Sequence, residues 1–130
     1  MEYITELPIS PGDMFDKLQK DKSGSVLLHY GVVKMHVEDQ VTSGIQFDKI
    51  GDAESEIAAL AAEICNKWGL NDILLVRRVG TLKVGDIISL VAVSSARSKD
   101  AFEACRYGVE HLKKMVSLKK RELFLNQDTT

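Results

Sequence analysis

The chain has 130 residues, 45% of them apolar and 28% charged, with a formal net charge of −2. That is the size of one domain, here taken as residues 1–130, with an ordinary hydrophobic core and no need of disulfide or metal staples. No uninterrupted apolar run approaches the roughly 20 residues of a membrane span, and the opening MEYITELPIS lacks the basic region, apolar stretch and cleavage site of a secretory leader, so a cytoplasmic protein is expected.

Residues 3–7 read as a short strand. Ser10 followed by Pro11 is a helix start, a capping hydroxyl and then proline at the first helical position, for a helix reaching about Gln19. After the turn DKSG, residues 25–34 form a mostly apolar β-rich run with Gly31 placed for close approach of another backbone. Residues 37–42 form a polar loop and 44–50 a further strand. From Asp52 the period changes: Ile57, Leu60, Ala61, Ile64 and Trp68 make one stripe of an amphipathic helix ended by Gly69, with Asp52, Glu54 and Glu56 at its start, where the helix dipole favours acids.

Residues 73–79 and 87–94 are β-branched runs joined by GTLKVGD, whose glycines permit the positive φ angles of a hairpin connection. They are expected to pair antiparallel at the centre of the sheet. Ser98 is placed to cap a last helix running to Met115 or Val116, with Phe102, Cys105, Val109, Leu112 and Val116 as its apolar stripe and Ala101, Ala104 and Gly108 as a small-residue row. Strands with segregated helices imply an α+β fold. Cys65 and Cys105 lack any C-x-x-C spacing and are expected to be small buried hydrophobes. Asn126 to Thr130 are expected to be disordered.

Charge is uneven along this order. Residues 1–70 carry twelve acidic against six basic side chains, and residues 71–130 seven against eleven. A basic second half calls for an anionic partner, whether a phosphorylated metabolite, a nucleic acid or an acidic protein surface. The densest stretch is HLKKMVSLKKRE, residues 111–122. At about 100° per residue, the last helix's stripe spans roughly 80° and Lys113 projects about 20° beyond its Phe102 edge, whereas Lys114 falls about 100° further round, in solvent. Lys113 is therefore expected at the border of the core with Arg106 nearby, where partial burial and a cationic neighbour disfavour the ammonium form and suit a nucleophile or general base. The alternative is a snorkelling lysine whose stem covers the core edge.

Lys119, Lys120 and Arg121 either fold back over the same surface or complement the helix dipole. Arg97 and Lys99, at the start of that helix, suggest an anion that also uses its free N–H groups. His29, His36 and His111 have no metal-ligand spacing, and no serine-hydrolase, P-loop or dinucleotide motif is present, so neither metal nor cofactor is expected. With 6% aromatic residues and no interleaved aromatic–basic pattern, nucleic-acid binding is the weaker reading.

The stretch from Val76 to Glu122 resembles the large, catalytic subunit of molybdopterin synthase. The resemblance rests on Arg78-x-Gly80-x-Leu82-x-x-Gly85-Asp86, on a β-rich strand with Ser94, and on the Ala-Phe-Glu-Ala run from Ala101 to Ala104. Lys113, and Lys120 before Arg121 and Glu122, complete it. Earlier, GVVKMH is similar to the family's Gly-x-Val-Arg segment with its nearby histidine, with Lys34 where arginine is usual and His36 at the histidine. The chain departs from the family at Arg97-Ser98, where His-Arg is usual, and at Ser117 and Lys119, where Pro-x-Trp-Lys is usual.

The resemblance implies an α/β hammerhead-like antiparallel sheet with segregated helices and a small added α+β portion. It also implies a homodimer within a heterotetramer, each protomer binding a small ubiquitin-like sulfur carrier. The implied reaction moves sulfur from the carrier's thiocarboxylated C-terminus to cyclic pyranopterin monophosphate, forming the dithiolene of molybdopterin. Lys113 and Lys120 fall on the catalytic lysines. Lys34, His36, Arg78, Arg97 and Arg121 are the substrate-binding candidates. A second reading is a paralogue that keeps the dimer and carrier groove as a scaffold without turnover.

Overall fold

The computed structural model describes residues 1–37 and 39–125; the disorder expected at 126–130 lies outside them. In chain order the elements are β1 (Glu2–Thr5), α1 (Pro11–Lys17), β2 (Ser25–Val32), β3 (Thr42–Lys49), α2 (Ala53–Lys67), β4 (Asp72–Arg78), β5 (Gly80–Lys83), β6 (Ile87–Ser95), α3 (Ser98–Leu112) and β7 (Leu118–Phe124). They build two sheets, one in the order β1-β4-β6-β2 and one in the order β5-β3-β7. All pairings are antiparallel except β1 with β4. The fold is α+β.

The central strands β4 and β6 read as near-continuous apolar runs because both faces of the larger sheet are covered. Ile73 and Leu75 point to the side of α2 and α3, where they meet Ile57, Ile64, Val91 and Leu112. Leu74 and Val76 point to the side of α1 and pack with Ile9, Leu18, Leu90 and Ala92. A third cluster, of Val33, Ile45, Phe47, Val79 and Leu82, fills the seam to the smaller sheet. Among the described residues no helix is long and apolar enough to cross a membrane.

Both earlier helices follow their sequence signals. Ser10 accepts the Asp13 N–H ahead of Pro11, and the Asp52 carboxylate accepts the Ser55 N–H at 3.0 Å. The expected α2 stripe is buried, with Trp68 packed at its end. Cys65 is exposed, contrary to expectation, because it lies one step past Ile64 and off that stripe; Cys105 is buried.

The last helix differs from its prediction in three ways. Arg97, not Ser98, is the N-cap residue; the Ser95 hydroxyl takes the Arg97 N–H, so the cap falls before Ser98. The buried face is the small row, Ala101, Ala104, Cys105 and Gly108, with Leu112, while Phe102 and Val116 are 63% and 80% exposed. The reason is how tightly α3 lies on β6: a Cβ at Gly108 would stand 3.1 Å from the Val91 side chain. The helix also stops at Leu112, short of Met115.

Two strands were not expected. β5 occupies most of the GTLKVGD connection and pairs with β3, while Gly80 and Gly85 take the positive φ values foreseen, 95° and 91°. β7 is LKKRELF, a charged strand at the edge of the smaller sheet, where charges discourage pairing with other chains. The close backbone approach assigned to Gly31 occurs instead at Gly44, where a Cβ would run into the Leu82 carbonyl oxygen.

Candidate active site

The site is built where α3 gives way to β7. Lys113, at the helix C-cap, keeps right-handed backbone angles, and its N–H reaches the Val109 carbonyl at 3.4 Å. Three contacts then fix the turn. The Lys114 N–H bonds the His111 carbonyl at 3.1 Å. Arg77 on β4 donates from Nη1 to the carbonyl of Leu112 at 3.2 Å. Glu56 on α2 accepts the N–H of Val116 at 2.9 Å, the N–H of Ser117 at 3.0 Å and the Ser117 hydroxyl. Partial burial pushes the Glu56 carboxyl up, but the Ser117 and Val116 donors outweigh it and hold the group below the usual carboxylate range.

Lys113 is exposed, which corrects the partial burial expected of it. With the alanine and glycine row turned inward, Phe102 and Val109 rotate outward, and Lys113 with them, while Cys105 stays buried between the two faces. Phe102, Cys105 and Val109 wall a groove of about 500 Å³ between α3 and β2, lined also by Leu27 and His29, with Lys113 on its rim. Arg106 lines the same groove and is paired with Glu110 at 3.1 Å.

Lys120 arrives from the other side. In the β3–β7 ladder it lies opposite Phe47, while Lys119 and Arg121 lie opposite Asp48 and Gln46. Opposed residues share a face of the sheet and neighbours along a strand alternate, so Lys120 is on the Phe47 side and Lys119 and Arg121 on the other. Phe47 is buried, and the Arg77 guanidinium carbon sits 4.3 Å from its ring centroid. Lys113 therefore borders this Arg77–Phe47 contact through Leu112, and Lys120 borders it through Phe47. Burial lowers the Arg77 pKa to about 10, which leaves it charged at neutral pH.

The remaining candidates are dispersed. His36 lies exposed in a groove of about 370 Å³ with Asp39, Gln40, Glu122 and Phe124; Glu122 is two residues beyond Lys120 on the same face, about 7 Å along the strand. Lys34 follows Val33, which is bonded to Asp86 and Gly85 by backbone hydrogen bonds of 2.9 and 2.8 Å. Arg78 belongs to that neighbourhood, with Nη1 3.4 Å from Asp86 Oδ2 and Nε donating to the Glu6 carbonyl. Arg97 stands at the opposite end of α3 from Lys113, roughly 24 Å away at 1.5 Å per residue. Among the described residues no three of His, Cys, Asp and Glu are grouped to hold a metal ion.

The model of the MoaE protein family matches residues 4–115. The chain belongs to the MoaE family. It is 29% identical over 122 residues to a molybdopterin synthase catalytic subunit of Bacillus subtilis, covering 93% of this chain and 78% of that protein. It also superposes on the crystal structure of molybdopterin synthase from Staphylococcus aureus with a TM-score of 0.84 and 29% identity, over 95% of this chain and 90% of that one. A complex of subunits 1 and 2 of molybdopterin-converting factor from Helicobacter pylori shares the fold, with a TM-score of 0.72 at 17% identity, over 97% of this chain and 86% of that one.

The MoaE match includes Arg77 and Lys113 and ends before β7. Arg77, Glu56 and Phe47 are the residues that sequence reasoning passed over. For Arg77 a signal existed: it puts a charge on the core face of an otherwise apolar strand. Glu56 was read only as an acid at the start of α2, and nothing near it or Phe47 in the sequence announces their distant partners.

Proposed function

We propose that this chain is the sulfur-transferring subunit of a molybdopterin synthase. It takes one sulfur from the thiocarboxylated C-terminus of each of two small ubiquitin-like carriers, leaves each carrier as the carboxylate, and delivers both sulfurs to cyclic pyranopterin monophosphate, forming the molybdopterin dithiolene. What supports the reading is that Leu112, the residue before Lys113, and Phe47, the cross-strand neighbour of Lys120, both contact the buried Arg77. The Helicobacter pylori neighbour is a two-subunit complex, and the proposal extends such a pairing to this chain.

The chemistry fits the residue types. A thiocarboxylate, a phosphate and an oxyanion developing at the carrier's carbonyl all need fixed positive charge, which two ammonium groups supply. Lys113 transfers a proton to the oxyanion developing at the carrier's carbonyl, and Lys120 assists. The groove along α3 gives an extended tail a route to Lys113. Lys34, His36, Arg78, Arg97 and Arg121 serve substrate and carrier binding, Arg97 at the end of α3 away from Lys113.

The test is a turnover assay with purified protein, thiocarboxylated carrier and cyclic pyranopterin monophosphate, reading molybdopterin by fluorescence after oxidation. Lys113→Ala is expected to abolish product while fold and carrier binding stay intact. Near-normal turnover by that variant would remove Lys113 from the mechanism. No turnover by the unaltered chain, with the carrier bound, would reduce the protein to a docking subunit.

A further inference from the structure

We infer that Arg77 is a positioning residue that holds the two lysines in one arrangement; the inference rests on the reading of Lys113 and Lys120 as the reacting pair. β4 alternates Ile73, Leu75 and Arg77 onto the face covered by α2 and α3, and the first two belong to the core there. Arg77 is only 6% exposed. Among the described residues no carboxylate lies within ion-pair distance of it, and its Nε is buried without a hydrogen-bond partner.

A buried cation without a counter-charge is a poor way to stabilise a fold, because a hydrophobic side chain of similar volume at such a site is commonly neutral or better. What an apolar residue could not do is make both of the contacts Arg77 makes. Its Nη1 holds the carbonyl of Leu112, the residue before Lys113. Its guanidinium carbon sits over the ring of Phe47, the residue opposite Lys120 in the β3–β7 ladder. Its positive charge also lies at the C-terminal end of α3, where the helix dipole favours a cation. A single rigid group thus ties the helix end that carries one lysine to the strand pair that carries the other, and it does so from beneath.

The experiment uses the full chain with its carrier, comparing Arg77→Met, Arg77→Lys and Lys113→Ala with the unaltered protein. Arg77→Met is expected to keep its melting temperature and its carrier affinity but to lose kcat by about 10- to 100-fold with little change in KM, since a displacement near 1 Å costs rate on that scale. Amide hydrogen exchange should quicken across residues 112–120. Arg77→Lys should restore part of kcat, because it keeps the charge and one donor but not the planar face. Arg77→Met with full kcat, while Lys113→Ala is inactive, overturns the inference and leaves the lysine reading standing. A kcat loss that tracks a lowered melting temperature also overturns it, in favour of a purely structural role. Full turnover by Lys113→Ala overturns the lysine reading, and the positioning role with it.

Discussion

Glu56 tests how far the site depends on contacts outside it. Its carboxylate bonds two backbone N–H groups and one hydroxyl of the turn between Lys113 and Lys120. Hydrogen bonds to a charged group contribute about 1.5–3 kcal/mol each when sheltered. Ser117 is 7% exposed but Val116 is open to solvent, so the sum is well below three times that figure. Glu56→Ala is expected to cost about 2–3 kcal/mol, or roughly 8–12 °C in melting temperature for a domain of this size. Glu56→Gln, which keeps one acceptor oxygen, should cost about half as much.

The pH dependence follows from the lowered carboxyl pKa. A group whose folded pKa lies below its unfolded value, about 4.3 for glutamate, stabilises fully above that value and loses the contribution as pH falls through the folded pKa. The melting-temperature gap between the unaltered protein and Glu56→Gln should therefore be complete at pH 6–7 and close as the pH drops below about 4. Thermal unfolding monitored by circular dichroism across that range reads it directly. An absent gap at pH 7, or one that persists undiminished at pH 3 with both proteins folded, would refute the clamp.

Two further outcomes follow from the packing. Gly44→Ala should lower stability by about 2–3 kcal/mol in urea unfolding, because the new Cβ meets the Leu82 backbone and the β3–β5 ladder must shift; an unchanged midpoint would mean that the edge strand moves freely. In thiol labelling of the native protein, Cys65 should react and Cys105 should not until unfolding, since Cys105 is buried and burial also raises its thiol pKa. Equal rates at both thiols would contradict the packing of α3.

The larger sheet was legible because its information is local. Apolar runs at 73–79 and 87–94, a proline-led first helix and the stripe from Ile57 to Ile64 each declare an element within a dozen residues. Of the smaller sheet only the central strand β3 was, as the strand expected over 44–50. β5 is four residues long, and β7 carries three successive cations, so neither shows the alternation that marks a half-buried strand. The orientation of α3 was misjudged for a related reason. Helical wheels weigh large apolar side chains, whereas this helix lies so close to Val91 that Gly108 has no room for a Cβ, and Phe102 is left to line a groove.

The site combines both kinds of legibility. Lys113 and Lys120 stand seven residues apart, a spacing that on one continuous helix would stack them on nearly the same face, since seven steps of about 100° fall roughly 20° short of two full turns. Their relation here has a different origin. The helix ends at Leu112, and the chain re-enters a sheet at Leu118. What relates the lysines is then Arg77, 35 residues before Leu112, together with Glu56, 61 residues before Ser117, and the pairing of β7 with β3. No periodicity within residues 111–122 contains those contacts. The resemblance singles out these two lysines, and the fold adds that their neighbours Leu112 and Phe47 both contact one buried guanidinium.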